Sequence, residues 1–76
     1  MRKRVRDVMA NVWEVPAAEI PEDADSTTMP GWDSLRHLEL MLELELSFGV
    51  RIPADQVPEL TSVGAIEDAL RDHGAA

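Results

Sequence analysis

The stretch Pro30-Gly-Trp-Asp-Ser-Leu-Arg-His-Leu-Glu-Leu-Met-Leu-Glu-Leu-Glu-Leu-Ser-Phe-Gly49 decides how this chain folds. Asp33 and Ser34 are residues that cap a helix start, and Gly49 is the residue that most readily ends one. A helix over residues 34–48 is therefore expected. At 100° per residue, Leu35, Leu38, Leu42 and Leu46 fall within about 80° of one another. Leu40, Met41, Leu44 and Phe48 fall on the opposite side. A small bundle buries only one of these faces well. Glu39 and Glu43 flank the Leu35 side and Glu45 flanks its other edge, whereas the Met41–Phe48 side carries the bulkier apolar groups. Leu40, Met41, Leu44 and Phe48 are thus expected in the core. The leucine stripe is expected at the surface, fenced by carboxylates, as a docking site would be.

Working outward, residues 2–14 read as a helix. Val5, Val8, Met9 and Val12 follow the i, i+3, i+4, i+7 rule with Trp13 at the stripe's edge, and Pro16 is the stop. Residues 15–31 read as a long loop pinned by Ile20. Loops of this length are uncommon in small domains and often functional. Arg51-Ile52-Pro53 reads as an extended link and residues 54–59 as a short helical turn. Thr61 or Ser62 opens a last helix with Val63, Ile66 and Leu70 on one face and Gly74 as its stop. No strand pattern and no repeat is present. The expectation is all-α, in one domain over residues 1–76.

Length and charge narrow the function. A chain of 76 residues buries only about 60% of its unfolded surface, leaving little room for a deep catalytic cavity beside a core. The net charge is −8. Arg2, Lys3, Arg4 and Arg6 read as a solvated basic first turn, while residues 7–76 carry three basic and fifteen acidic side chains, a net −12. Such a body repels nucleic acid and anionic lipid and attracts basic protein surfaces. With no cysteine there is no disulfide and no thiolate. His37 and His73 do not make a metal site. No apolar run approaches a membrane span, and no signal peptide is recognisable, so a cytoplasmic protein is expected.

Ser34 is the residue with chemistry to offer. Its neighbour His37, at i+3, lacks an orienting acid, and Gly31–Leu35 is not a nucleophile elbow; hydrolysis is disfavoured, and His37 reads as a packing residue at the helix edge. One reading of Ser34 is simple capping. The other is a phosphate ester, because a helix N-terminus gathers unpaired amides and the positive end of the dipole.

Gly31-Trp32-Asp33-Ser34-Leu35, Glu39-Leu40, Phe48-Gly49-Val50-Arg51-Ile52-Pro53 and Thr61-Ser62-Val63 together resemble the acyl carrier protein family over nearly the whole chain. The resemblance implies a four-helix bundle of three main helices and one short helix. It implies a non-catalytic carrier holding 4′-phosphopantetheine, taken from coenzyme A, on Ser34. It implies docking through Asp33, Leu35, Arg36, Leu38, Glu39, Leu42, Glu43 and Leu46. The implied partners are a phosphopantetheinyl transferase, an acyl- or aminoacyl-loading ligase or acyltransferase, and synthases or transferases with basic docking patches, around a monomeric carrier.

Arg36 and Leu46 stand where carriers of primary fatty acid synthesis are commonly acidic, and Trp32 precedes Asp33. These departures point to specialised biosynthesis, of polyketides or other secondary metabolites. An aminoacyl or peptidyl carrier and an unmodified helical interaction domain are the alternatives.

Overall fold

The computed structural model describes residues 1–74. Three α-helices account for half of it: α1, Arg2–Trp13; α2, Ser34–Phe48; and α3, Val63–Asp72. Two 3-10 turns, Ala17–Glu19 and Val57–Glu59, lie in the connections. The second of these is the short helical turn expected within residues 54–59, and it completes the bundle as its short fourth element. The helix α1 packs against both α2 and α3, within overall extents of 28 × 23 × 18 Å.

Local signals set the helix bounds. The Asp33 carboxylate accepts from the Arg36 amide at 2.8 Å and caps α2, and Gly49 closes it in the left-handed conformation, φ 65°. The Ser62 hydroxyl caps α3 by accepting from the Ala65 amide at 3.1 Å. Glu14 closes α1 at φ 57°, a conformation that glycine adopts without the side-chain strain glutamate meets.

The core face of α2 is the expected one. Leu40, Met41 and Leu44 are buried against Val5, Met9, Ile66 and Leu70, each contributing about 1.5–3 kcal/mol. Two expectations need adjustment. Phe48 is only half-buried, because it sits at the open end of the bundle with the Arg4 guanidinium 4.3 Å from its ring centroid. Trp13 is core and Val12 half-buried, because the long loop returns across α1 on the Trp13 side.

That loop has more structure than its composition implies. Besides its 3-10 turn, it carries an Asx turn in which Asp25 accepts from the Thr27 and Thr28 amides and from the Thr27 hydroxyl. These bonds hold the Asp25 carboxyl below its ordinary value. Ile20, Ala24 and Met29 are buried and anchor the loop. An antiparallel bridge between Asp25 and Ser62 ties it to the start of α3, through Ser26 N–H to the Thr61 carbonyl, 2.9 Å, and Val63 N–H to the Ala24 carbonyl, 3.0 Å.

The basic N-terminus is tethered rather than freely solvated. Arg2 pairs with Glu67, Lys3 with Asp7, and Arg4 donates to the Ser47 carbonyl. Arg6 donates to the Ile20 carbonyl through Nε at 2.9 Å and through a terminal nitrogen at 2.6 Å. Arg2, Arg4 and Arg6 clamp α1 to α3, α2 and the loop, whereas Lys3 pairs within α1 and stays exposed.

Candidate functional site

Ser34 is the first residue of α2 and is exposed. The cap belongs to Asp33, so the Ser34 side chain is not needed to close the helix. The amides of a helix's first turn lack intrahelical partners, and the dipole adds partial positive charge there. A helix end of this kind favours a negatively charged group.

The chain before Ser34 is held by an aromatic scaffold. Trp13 Nε1 donates to the Pro30 carbonyl at 2.9 Å. Gly31 follows at φ 84°, where an added Cβ would lie 3.4 Å from that same Trp13 nitrogen. Glycine is favoured there by the positive φ. Trp32 then packs edge-on against Trp13, with ring centroids 5.4 Å apart. The Trp32 ring also stacks with His37 at 6.1 Å.

His37 is not at the helix edge. It lies on the core-facing side of α2, one turn before Met41, and joins three segments. Trp32 Nε1–H donates to Nδ1 at 2.9 Å, and Nε2 lies 2.6 Å from the Val57 carbonyl oxygen. A carbonyl only accepts, so Nε2 carries the proton and Nδ1 offers its lone pair to Trp32. Both nitrogens are thus committed, and neither serves Ser34 as a base. The 100° rotation per residue would have put His37 among the inward positions; its partners, at Trp32 and Val57, are visible only in three dimensions.

Beside Ser34 lies a cleft of about 290 Å³ lined by Ser26, Trp32, Asp33, His37, Pro58 and Thr61 along with Ser34. The Asp25–Ser62 bridge brings Ser26 and Thr61 together at its far wall. Sequence reasoning missed Ser26, Pro58 and Thr61, because they come to Ser34 through the loop and the second 3-10 turn.

The expected docking residues fall into two groups. Leu35, Leu38, Leu42 and Leu46 are 54–78% exposed, and Glu39 and Glu43 are exposed next to them. Asp33 is exposed as well, while holding its cap. Arg36 departs from this group: it is half-buried, its guanidinium 5.5 Å from the Trp13 ring centroid. Glu45, read as a fence, instead turns to the chain after α2 and accepts from the Ile52 amide at 2.8 Å. A larger groove, about 530 Å³, runs along the stripe's acidic side between Leu42, Glu39 and Glu43 of α2 and Asn11, Val12 and Glu14 of α1. It lies beside the exposed leucine stripe, away from the serine; of the two, only the 290 Å³ cleft is lined by Ser34.

Among the described residues no cluster of histidine, aspartate or glutamate could hold a metal ion, and no helix is long and apolar enough to cross a membrane.

Comparison with known proteins agrees with this geometry. Residues 3–70 match the family model described as the phosphopantetheine attachment site. The chain is 36% identical over 70 residues to an acyl carrier protein of Porphyromonas gingivalis, covering 92% of this chain and 90% of that one. It is 33% identical over 72 residues to an acyl carrier protein of Helicobacter pylori, covering 95% and 92%. An acyl carrier protein of Amoebophilus asiaticus is 33% identical over 70 residues, covering 92% and 88%.

Proposed function

The chain belongs to the phosphopantetheine attachment-site family, and on that footing we propose that Ser34 is the residue through which it carries the group. As a family member it is a carrier and not an enzyme, and its cofactor is 4′-phosphopantetheine. The group supplies a terminal thiol that holds acyl units as thioesters, a functional group this cysteine-free chain lacks.

The observation that carries the assignment is an exposed hydroxyl on the first residue of α2, in a helix whose cap is supplied by its neighbour Asp33. In the transfer, the Ser34 oxygen bonds to the β-phosphorus of coenzyme A. The pyrophosphate bond breaks, adenosine 3′,5′-bisphosphate leaves, and the hydroxyl proton is lost. A transferase catalyses this step; the chain's part is to present Ser34 in the open and to offer the helix end to the phosphodiester.

The test is an intact mass spectrum after incubation with coenzyme A and a broad-specificity phosphopantetheinyl transferase. The wild-type chain gains one phosphopantetheine mass and Ser34→Ala gains none. An unchanged wild-type mass would return the chain to the class of unmodified interaction domains.

Partners dock on the leucine stripe and its acids: Asp33, Leu35, Leu38, Glu39, Leu42, Glu43 and Leu46. Basic patches on loading enzymes and synthases are drawn by the long-range field of the acidic body, which speeds encounter and leaves complexes short-lived and salt-sensitive. The Arg36 guanidinium packs on the Trp13 ring.

Leu46 in place of an acid makes the stripe more apolar, and Trp32 belongs to the scaffold before the serine. Both support a discrete carrier of specialised biosynthesis, for polyketide or other secondary-metabolite units, over one for primary fatty acid synthesis. An aminoacyl carrier remains the chemical neighbour of this reading. Supplied to reconstituted fatty acid synthesis enzymes, the loaded protein is expected to be a poor substrate; efficient elongation would overturn the specialised reading and leave Ser34 untouched.

A further inference from the structure

An acyl chain on the terminal thiol of an arm at Ser34 is driven to seek cover from water in proportion to its apolar area, and it reaches the protein when the arm folds back. Two places offer cover: the interior behind α2, and the cleft beside the serine. Entry to the interior near Ser34 requires the loop, α2 and the second 3-10 turn to part. His37 spans that seam, accepting from Trp32 on one side and donating to the Val57 carbonyl on the other. Opening it breaks two part-buried hydrogen bonds at once and disturbs the contact between Trp32 and Trp13. Behind the seam, Leu40, Met41, Ile52 and Leu60 are already packed into one core cluster.

The cleft is different. It is open, and about 290 Å³ places it at the lower end of ligand sites, roughly 300–1,000 Å³. The Trp32 indole and Pro58 supply apolar walls, and Ser26 and Thr61 bring hydroxyls that can donate or accept. Asp33 at the rim, carboxylate turned to its cap, disfavours an anionic unit by like-charge repulsion.

We propose that cargo carried on Ser34 rests in this outer cleft, and that the cleft selects compact, neutral, oxygenated acyl units over long alkyl chains. The proposal rests on Ser34 being the attachment point. It concerns what the arm carries, and it makes Trp32, Thr61 and Ser26 specificity-determining residues.

The experiment loads the full-length protein enzymatically from 3-hydroxybutyryl-coenzyme A and, separately, from octanoyl-coenzyme A. Mass spectrometry comes first: if neither group is added to the wild-type chain, with Ser34→Ala as reference, the attachment reading fails and takes the cleft proposal with it. With both forms loaded, hydroxylamine cleavage of the thioester and the two tryptophan indole N–H resonances are followed. The 3-hydroxybutyryl form is expected to be cleaved about threefold to tenfold more slowly than the same thioester on free pantetheine, the worth of one net hydrogen bond, with the Trp32 resonance shifted. The octanoyl form is expected to be cleaved at the free rate and to unfold at the temperature of the unloaded protein. Thr61→Val, at an exposed position, removes the protection without altering the unfolding temperature, and so stands in for Trp32→Ala should that variant fail to fold. Protection of the octanoyl form, a rise in its unfolding temperature, or equal cleavage of both forms at the free rate would overturn the proposal.

Discussion

At Leu42 and Leu44, two residues apart on one helix, the same substitution should have opposite consequences. Leu42 is 61% exposed and Leu44 fully buried. Leu42→Glu is expected to leave helix content and thermal unfolding nearly unchanged while lowering turnover by partner enzymes. Leu44→Glu places a charge in the core and should unfold the protein outright; circular dichroism reads both. Glu14 offers a test of the opposite sign. It holds a left-handed conformation, φ 57°, that costs a non-glycine residue about 1 kcal/mol or somewhat more. Glu14→Gly should stabilise the fold by roughly 1 kcal/mol in urea denaturation. Both faces of α2 were legible from the spacing of leucines and glutamates alone, since periodicity is a property of the segment itself. The half-burial of Phe48 was not, because it depends on which α1 residue, here Arg4, meets its ring.

At the level of elements, the segment before Ser34 is held by bonds to other parts of the chain. Asp33→Ala removes the α2 cap and should cost about 1 kcal/mol, without abolishing attachment at Ser34, since the hydroxyl is a separate group. Arg6 ties α1 to the loop through the Ile20 carbonyl. Its loss in Arg6→Ala should destabilise by about 2 kcal/mol, the scale of hydrogen bonds to a charged group. Hydrogen exchange should then quicken in residues 15–29 before it does in α2. The loop was recognisable as a loop, and Ile20 as its anchor. Its bridge to Ser62 was not, because the partner lies 37 positions further on and a single bridge leaves no pattern in either segment.

For the molecule as a whole, charge is both a signal to partners and a staple. Glu67 is buried on α3 and accepts from Arg2 at 3.2 Å, with Arg71 at 3.7 Å. The Arg2 hydrogen bond, and then the charges of Arg2 and Arg71, hold its carboxyl below the ordinary glutamate value. A depressed folded value means stability that is fully present above the unfolded value and lost as pH falls through the folded one. The unfolding temperature should therefore drop on acidification below the ordinary glutamate range. Glu67→Gln should show a shallower dependence there and a lower stability at neutral pH. A variant as acid-sensitive as the wild type would show that the pair does not link folding to pH. Partner binding should meanwhile weaken as salt rises, because exposed charges are screened over about 8–10 Å at ordinary ionic strength.

The amino-acid order alone determined the bounds of α2, its two faces, the acidic character of the body and the prominence of Ser34. Each follows from neighbours within a turn or two: a cap at Asp33, a stop at Gly49, leucines every three or four residues. Only the tertiary structure decided that His37 couples Trp32 to Val57, that Arg2, Arg4 and Arg6 clamp rather than float, and that Ser26 and Thr61 wall a cleft beside Ser34. Those features are meetings of residues from 14 to 65 positions apart or held by such meetings. Hydrogen bonds of that range are formed by packing, and no local periodicity records them.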